Sequence, residues 1–202
     1  MKTSFLRSRK PSDLTPLLSK CYKVVYESAG ILYTVSTMEP DYKKSEEKAL
    51  ELLRRYEIKE PFVDVFSIAQ GEGLSVKFIE FPKKFDNVAG YLDPEEKSIV
   101  VNKSQQPNRQ TFTVAHELGH YILEHKPSDY SVLLRMPVAK DKKTPQEKEA
   151  DVFAANLLVP KEMLLVTMQR YSLNKGNVDL LARIFGVSTE TMSHRLNRCV
   201  PQ

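Results

Sequence analysis

The chain has no tryptophan and only two cysteines, and no run of apolar residues approaches the length of a membrane span. Cys21 and Cys199 sit near opposite ends, with no spacing suited to a metal. That argues against a disulfide framework and fits a reducing, cytoplasmic compartment. A bilayer-spanning helix needs about 20 apolar residues in succession, so no membrane partner is expected. The basic stretch from Met1 to Lys10 is not followed by an apolar segment, so it is not a secretory signal. Internal repeats and low-complexity tracts are absent. Excess charge of one sign is scarce too. A net charge of +4 over 202 residues permits contact with nucleic acid but does not argue for it. With 41% hydrophobic residues, the chain can bury one moderate core with an appended segment.

What is present is concentrated in one stretch. Phe112-Thr113-Val114-Ala115-His116-Glu117-Leu118-Gly119-His120 reads H-E-x-x-H inside an apolar run of helical character. On a helix, His116 and His120 stand one turn apart, so both imidazoles project from the same face. Two such nitrogens make two corners of a tetrahedral zinc site, and Glu117 falls beside the metal as a general base. The alternative is a chance match on a surface helix. Val114, Ala115, Leu118, Tyr121 and Ile122 count against it, because they surround the histidines with apolar side chains. A buried, unpaired charge costs on the order of several kcal/mol, and a metal supplies the missing partner. Gly119, unfavourable in a helix by roughly 1 kcal/mol relative to alanine, fits a place where another backbone passes close by.

A catalytic zinc needs a third protein ligand and an open fourth position. His125, Glu147, Glu149 and Asp151 are the downstream candidates. For His125 the helix would have to break to swing it back, and Lys126-Pro127 stops the helix just after it. Residues 144–160 open with Thr144 as a helix cap, Pro145 in the first turn and then Glu147. Glu147 shares a stripe with Ala150, Asp151, Ala154 and Leu158, spaced i+3, i+4, i+7 and i+11. Glu149 shares its face with Val152, Phe153 and Asn156 and can equally stay solvated at the stripe's edge. Glu147 is therefore the better ligand; the competing reading makes it a capping residue only. Asp151, one turn later, can accept the outer N–H of a ligand histidine and fix its tautomer.

His116-Glu117-Leu118-Gly119-His120 followed by Glu147-x-x-Ala150-Asp151-x-Phe153-Ala154-Ala155-x-Leu157-Leu158-x-Pro160 resembles the ImmA/IrrE family of metallopeptidases. Those proteins typically show H-E-L-G-H and then E-x-x-A-N-x-F-A-x-x-L-L-M-P. Upstream, residues 49–56 are similar to the family's leading helix and 61–69 to the next. Residues 90–92 and 99–102 are similar to its strand pair, so the likeness runs over residues 45 to 198. Asp151 stands where Asn is usual. The change recovers the E-x-x-x-D arrangement of thermolysin-like gluzincins and supports a histidine-orienting role. Val159 for the usual Met is a conservative packing change. The resemblance implies an α+β fold: a zincin-like domain with a small, mostly antiparallel sheet and an active-site helix. It also implies zinc-dependent cleavage of a helix-turn-helix transcriptional repressor, which derepresses stress-response or mobile-element genes. Spacing and composition do not show that substrate.

Three regions are expected along the chain: an extension over 1–44, the metallopeptidase domain over 45–165 and a helical segment over 166–202. In the extension, residues 12–20 suggest a short helix and 22–36 a hairpin around Ser28-Ala29-Gly30. Helices are predicted over 45–56, 62–71, 107–125 and 144–158, a strand over 74–81, and a polar basic loop over 126–143. Residues 93–97 turn a hairpin whose return strand is Ser98, Ile99, Val100, Val101 and Asn102. That strand is the candidate edge to hold an extended substrate by β-augmentation; an ordinary sheet edge is the alternative.

Residues 178–196 resemble a helix-turn-helix. Ala182 leaves room for a helix crossing, Gly186 allows the turn, Val187 and Met192 fill the space between helices, and Ser188 caps the second helix. From residue 161 on, the net charge is only +3, six Lys/Arg against three Asp/Glu. The second helix opens with Thr189-Glu190-Thr191, and a glutamate there faces phosphates badly. Direct DNA binding is therefore unfavoured, and the family resemblance implies a packing or recognition module. His194 reads as a surface or packing residue.

The chemistry expected is metal-assisted peptide hydrolysis, with one Zn2+ held by His116, His120 and Glu147 and with Glu117 moving the proton of water to the leaving amine. Tyr121, His125 and His194 are the available oxyanion donors. Three other functions stay open: a non-proteolytic zinc sensor, an inactive scaffold, and a DNA-binding regulator with structural zinc. An intact Glu117 counts against the scaffold, and only three strong ligands count against a closed structural site.

Overall fold

The computed structural model describes residues 24–28, 31–35, 39–125 and 143–200. The chain divides into two compact units, Met1–Pro40 and Asp41–Gln202. In the first, β1 (Val24–Ser28) and β2 (Ile31–Val35) pair antiparallel, with Tyr26 opposite Tyr33. The sequence predicts that hairpin. The helix expected over 12–20 lies outside the described residues, as does loop 126–142.

The second unit opens with α1 (Tyr42–Arg55), which begins ahead of the expected residue 45 because Asp41 caps it. The Asp41 carboxylate accepts the Lys44 N–H at 2.9 Å, satisfying a donor that the first turn would otherwise leave open. α2 (Val65–Gly71) begins later than residue 62 for the same kind of reason. Asp64 accepts the N–H groups of Phe66 and Ser67 and sets the start. There follow β3 (Ser75–Ile79), β4 (Gly90–Asp93), β5 (Ser98–Asn102), α3 (Pro107–Ile122), α4 (Pro145–Leu158), α5 (Lys161–Arg170), α6 (Val178–Phe185) and α7 (Thr189–Cys199). The architecture is α+β, with a small sheet beside the helix that carries the H-E-x-x-H residues.

Strand order in that sheet is β3-β5-β4. The β4–β5 hairpin is antiparallel, with Tyr91 opposite Val100, and β3–β5 is parallel, with Lys77 opposite Val100. Two reversals, within 80–89 and at 93–97, separate β3 from β5, so those two strands run the same way. One expectation is thereby corrected. Ser98, Ile99, Val100, Val101 and Asn102 form the central strand, buried at every position and paired on both sides. No backbone edge is left there for a substrate. Asn102 is also committed internally, donating its amide to the Val88 carbonyl at 3.0 Å. A near-continuous apolar, β-branched run is what a strand covered on both faces requires.

The core joins α1, α3 and α4 to the sheet. Val114, Ala115 and Leu118 of α3 meet Phe153, Ala154 and Leu157 of α4, all fully buried. Contact is close at Gly119, where an added Cβ would lie 2.9 Å from Cδ1 of Phe153. The close neighbour expected at this glycine is thus an aromatic ring, not a backbone.

Helices α5 to α7 complete the same core through Leu164, Leu181, Phe185, Met192 and Leu196. Gly186 ends α6 at a φ of 65°, and Ser188 caps α7 by accepting the Thr191 N–H at 3.1 Å. Arg195 is only 4% exposed. Its Nε donates to the Val159 carbonyl at 2.9 Å and its guanidinium to Asn156 Oδ1 at 3.0 Å, tying α7 to the C-terminal end of α4. Among the described residues, no helix is long and apolar enough to cross a membrane.

Candidate metal centre

Helix geometry puts His116 and His120 on one face of α3, and α4 lies against that face. α4 starts at Thr144, whose hydroxyl accepts the Glu147 N–H at 3.2 Å. Glu147 is therefore a first-turn residue, yet its carboxylate turns away to the histidines. Its Oε2 is 3.2 Å from His116 Nε2 and its Oε1 is 3.4 Å from His120 Nε2, while the two Nε2 atoms are 3.1 Å apart. A tetrahedral zinc with ligand distances of about 2.0–2.1 Å separates its ligand atoms by about 3.3 Å. The two imidazole nitrogens and the two carboxylate oxygens facing them thus lie at close to the edge lengths of such a site, with one ligand atom per residue all within 4.8 Å of one another. Two imidazole nitrogens and one carboxylate oxygen are also the donor chemistry that zinc takes. The histidine side chains are 13% and 7% exposed and that of Glu147 is 32% exposed, so the cluster opens to solvent on the glutamate side.

Asp151, one turn beyond Glu147, places Oδ1 3.1 Å from His116 Nδ1. Lys143 donates to its other oxygen at 2.5 Å. Burial would raise the Asp151 pKa, but the hydrogen bond and charge of His116, with Lys143, hold it below the ordinary value. Burial likewise opposes Glu147's charge, and the two imidazoles hold its carboxyl far below the carboxylate range. His116 is the counterpart. Burial disfavours its charge, yet hydrogen bonds to Asp151 and Glu147, with the nearby Glu117 charge, push its pKa up to about 9 in the metal-free protein. Glu117 itself is 3% exposed, on α3 between the two histidines.

The remaining sequence candidates separate. His125 is drawn behind His120, with the two Nδ1 atoms 3.0 Å apart, so it does not face the donor cluster. Glu149 sits at hydrogen-bond distance from His125 and not from the other histidines. Tyr121 is half-buried against the core, and His194 lies exposed on α7 with Glu190 at 3.8 Å. Sequence reasoning missed the His125–Glu149 contact and the buried Arg195. The first had a signal: three histidines lie within ten residues, which is hard to explain with two of them. For Arg195 nothing in the sequence marks burial.

Residues 70–197 match the profile described as IrrE N-terminal-like domain, a peptidase family. The chain belongs to this family. Radiation response metalloprotease IrrE of Deinococcus radiodurans is 27% identical over 152 residues, which are 75% of this chain and 45% of that protein. Its namesake in Deinococcus deserti is 29% identical over 147 residues, 72% of this chain and 51% of that one. Metallopeptidase ImmA of Bacillus subtilis is 32% identical over 72 residues, 36% of this chain and 41% of ImmA. The chain spans about half the length of the IrrE relatives it matches. A solved structure titled Mycobacterium tuberculosis transcriptional regulator has a TM-score of 0.51 at 19% identity, over 77% of this chain and 49% of that one. That likeness is one of fold.

Proposed function

We propose that this member of the IrrE-like peptidase family is a zinc-dependent endopeptidase. In this reading His116, His120 and Glu147 hold the ion and Glu117 is the general base. The observation that carries it is the convergence of two imidazole nitrogens and the Glu147 carboxylate, with contacts of 3.1 to 3.4 Å, beside a buried glutamate. Zinc in such a site supplies a Lewis acid that polarises a carbonyl and brings the pKa of water to near ~7.

The chain's own groups do the rest. Glu117 takes a proton from the attacking water and delivers it to the departing amine. Asp151 accepts the Nδ1–H of His116, leaving the Nε2 lone pair aimed into the cluster. Close packing of Gly119 on Phe153 holds α3 and α4 in register, so the three donors are set before any ligand arrives. With β5 central, the strand edge that accompanies α3 is that of β4, and an extended peptide pairs there. From the family resemblance, the substrate is a helix-turn-helix repressor.

Two isosteric variants test the assignment. Glu117→Gln removes a base and no ligand, so it should retain about one zinc per chain and lose cleavage by about 100-fold or more. Glu147→Gln should lose the metal itself. Equal zinc content in the two, measured by elemental analysis after dialysis, would contradict the ligand assignment.

A further inference from the structure

A third histidine, His125, lies behind the donor cluster with no part in that chemistry, and the end of α3 explains how it arrives. Leu123 closes the helix, and Glu124 takes a φ of 57°. The Glu124 N–H bonds to the Tyr121 carbonyl at 3.1 Å and the His125 N–H to the His120 carbonyl at 3.0 Å. These paired bonds are the usual consequence of a left-handed residue just past a helix end. The reversal folds His125 back over the last turn. Its Nδ1 lies 3.0 Å from His120 Nδ1, and its Nε2 lies 2.8 Å from Glu149 Oε2. The other Glu149 oxygen accepts the backbone N–H of Asp41, the cap of α1, at 2.7 Å. The side chains of His125 and Glu149 are only 7% and 18% exposed.

Proton positions along this line are fixed by exclusion. His120 Nε2 faces Glu147 and His116, so a metal there requires its lone pair and puts the His120 proton on Nδ1. Only one proton fits between two Nδ1 atoms at hydrogen-bond distance. His120 donates it and His125 Nδ1 accepts. The proton of His125 is then on Nε2, pointing at a carboxylate that can only accept. Each Glu149 oxygen in turn accepts one N–H, from His125 and from Asp41.

We infer that His125 and Glu149 are positioning residues, which hold His120 in the Nδ1–H tautomer with Nε2 presented to the ion. They do for His120 what Asp151 does for His116. The inference rests on the reading of His116, His120 and Glu147 as ligands. It extends the metal site into a line that ties the end of α3, the second turn of α4 and the cap of α1 together.

The test is zinc affinity of the full chain, measured by competition against a chromophoric chelator, with thermal melting of the metal-free protein as the check on folding. Glu149→Gln keeps shape but offers one oxygen to two N–H donors. It should weaken zinc binding about 10–100-fold, the usual cost of removing such support. His125→Leu should do the same. His125→Gln, which can accept from His120 and donate to Glu149, should recover most of the loss, a rescue that packing alone does not provide. Nitrogen NMR of the zinc-loaded protein should find the His125 proton on Nε2. If His116→Ala abolishes binding while Glu149→Gln and His125→Leu stay within about twofold of wild type, or if the His125 proton is on Nδ1, the positioning role is overturned. If His116→Ala binds as wild type does, or wild type binds no zinc, the ligand reading itself fails and takes this inference with it. Should His125→Leu not fold, the isosteric Glu149→Gln decides alone.

Discussion

His116 has three carboxylate neighbours, Asp151, Glu147 and Glu117, that favour its protonated form, while the ion proposed for it needs it neutral. In the metal-free protein its pKa is pushed from 6.5 to about 9, so the folded state holds this proton more tightly than the unfolded chain does. The resulting stabilisation is fully present below the unfolded pKa of 6.5 and is lost as pH rises through about 9. Its size is on the order of 3 kcal/mol. Chelator-treated protein should therefore melt at falling temperatures between those two pH values, and His116→Gln should flatten the slope. A wild-type melting temperature that is level across the window would contradict the paired imidazolium. Glu147 and Asp151 carry the opposite sign. Their depressed pKa values give stability that is present above the ordinary carboxylate range and lost in acid. Zinc must displace the His116 proton, so affinity should climb with pH up to about 9 and then level off. At this scale much was legible. Helical spacing alone pairs His116 with His120, and the buried stripe selects Glu147 and aligns Asp151. His125 was not legible, because its position depends on a left-handed Glu124, and glutamate has no preference for that conformation.

Elements owe their boundaries to short polar contacts, and their mutual placement to a few close approaches. Asp41 and Asp64 set the starts of α1 and α2, and each is a capping residue that the sequence displays openly. β5 was misjudged because five apolar or small residues in a row suit an edge or a centre until the partners are known. Only the path through 80–89 decides it, by carrying β4 to the far side of β5. The α3–α4 contact was half legible: Gly119 announces a neighbour without naming Phe153. Gly119→Ala should gain about 1 kcal/mol in helix propensity. It places a Cβ 2.9 Å from a fully buried ring, however, and overpacking of that kind costs about 1–3 kcal/mol. The expected result is a lower denaturant midpoint and weaker zinc binding, since the helices carrying His116 and Glu147 are forced apart. Adding Phe153→Leu should restore part of both. An alanine variant with unchanged zinc affinity would show that this contact does not set the site. Glu124→Gly should go the other way, raising stability by about 0.5–1 kcal/mol through relief of the positive φ.

For the molecule as a whole, the open question is what the helix-turn-helix-like end does beside a peptidase site. α6 and α7 are not an independent appendage. Leu181, Phe185, Met192 and Leu196 are buried in the core shared with α3 and α4, and Arg195 reaches the end of α4. Arg195→Ala leaves the Val159 carbonyl and Asn156 with unmet partners, and should cost about 2–4 kcal/mol of stability. Removing the segment outright would therefore report on folding, not recognition. The informative surface is the outward face of α7, where Thr189, Glu190, His194 and Asn197 are exposed. As part of the peptidase domain itself, this face suits recognition of a folded substrate, which a few residues around the scissile bond cannot specify alone. Glu190→Lys combined with Asn197→Glu changes the charge pattern of that face without touching the core. The pair should lower cleavage of an intact helix-turn-helix repressor by about tenfold, equivalent to ~1.4 kcal/mol of lost recognition. A short peptide containing the same bond should be cut as before. A DNA-reading helix predicts otherwise: Glu190→Lys would strengthen salt-sensitive binding to duplex DNA, and repressor cleavage would not change. Gel-shift titrations at two salt concentrations, run beside the two cleavage assays, separate these outcomes.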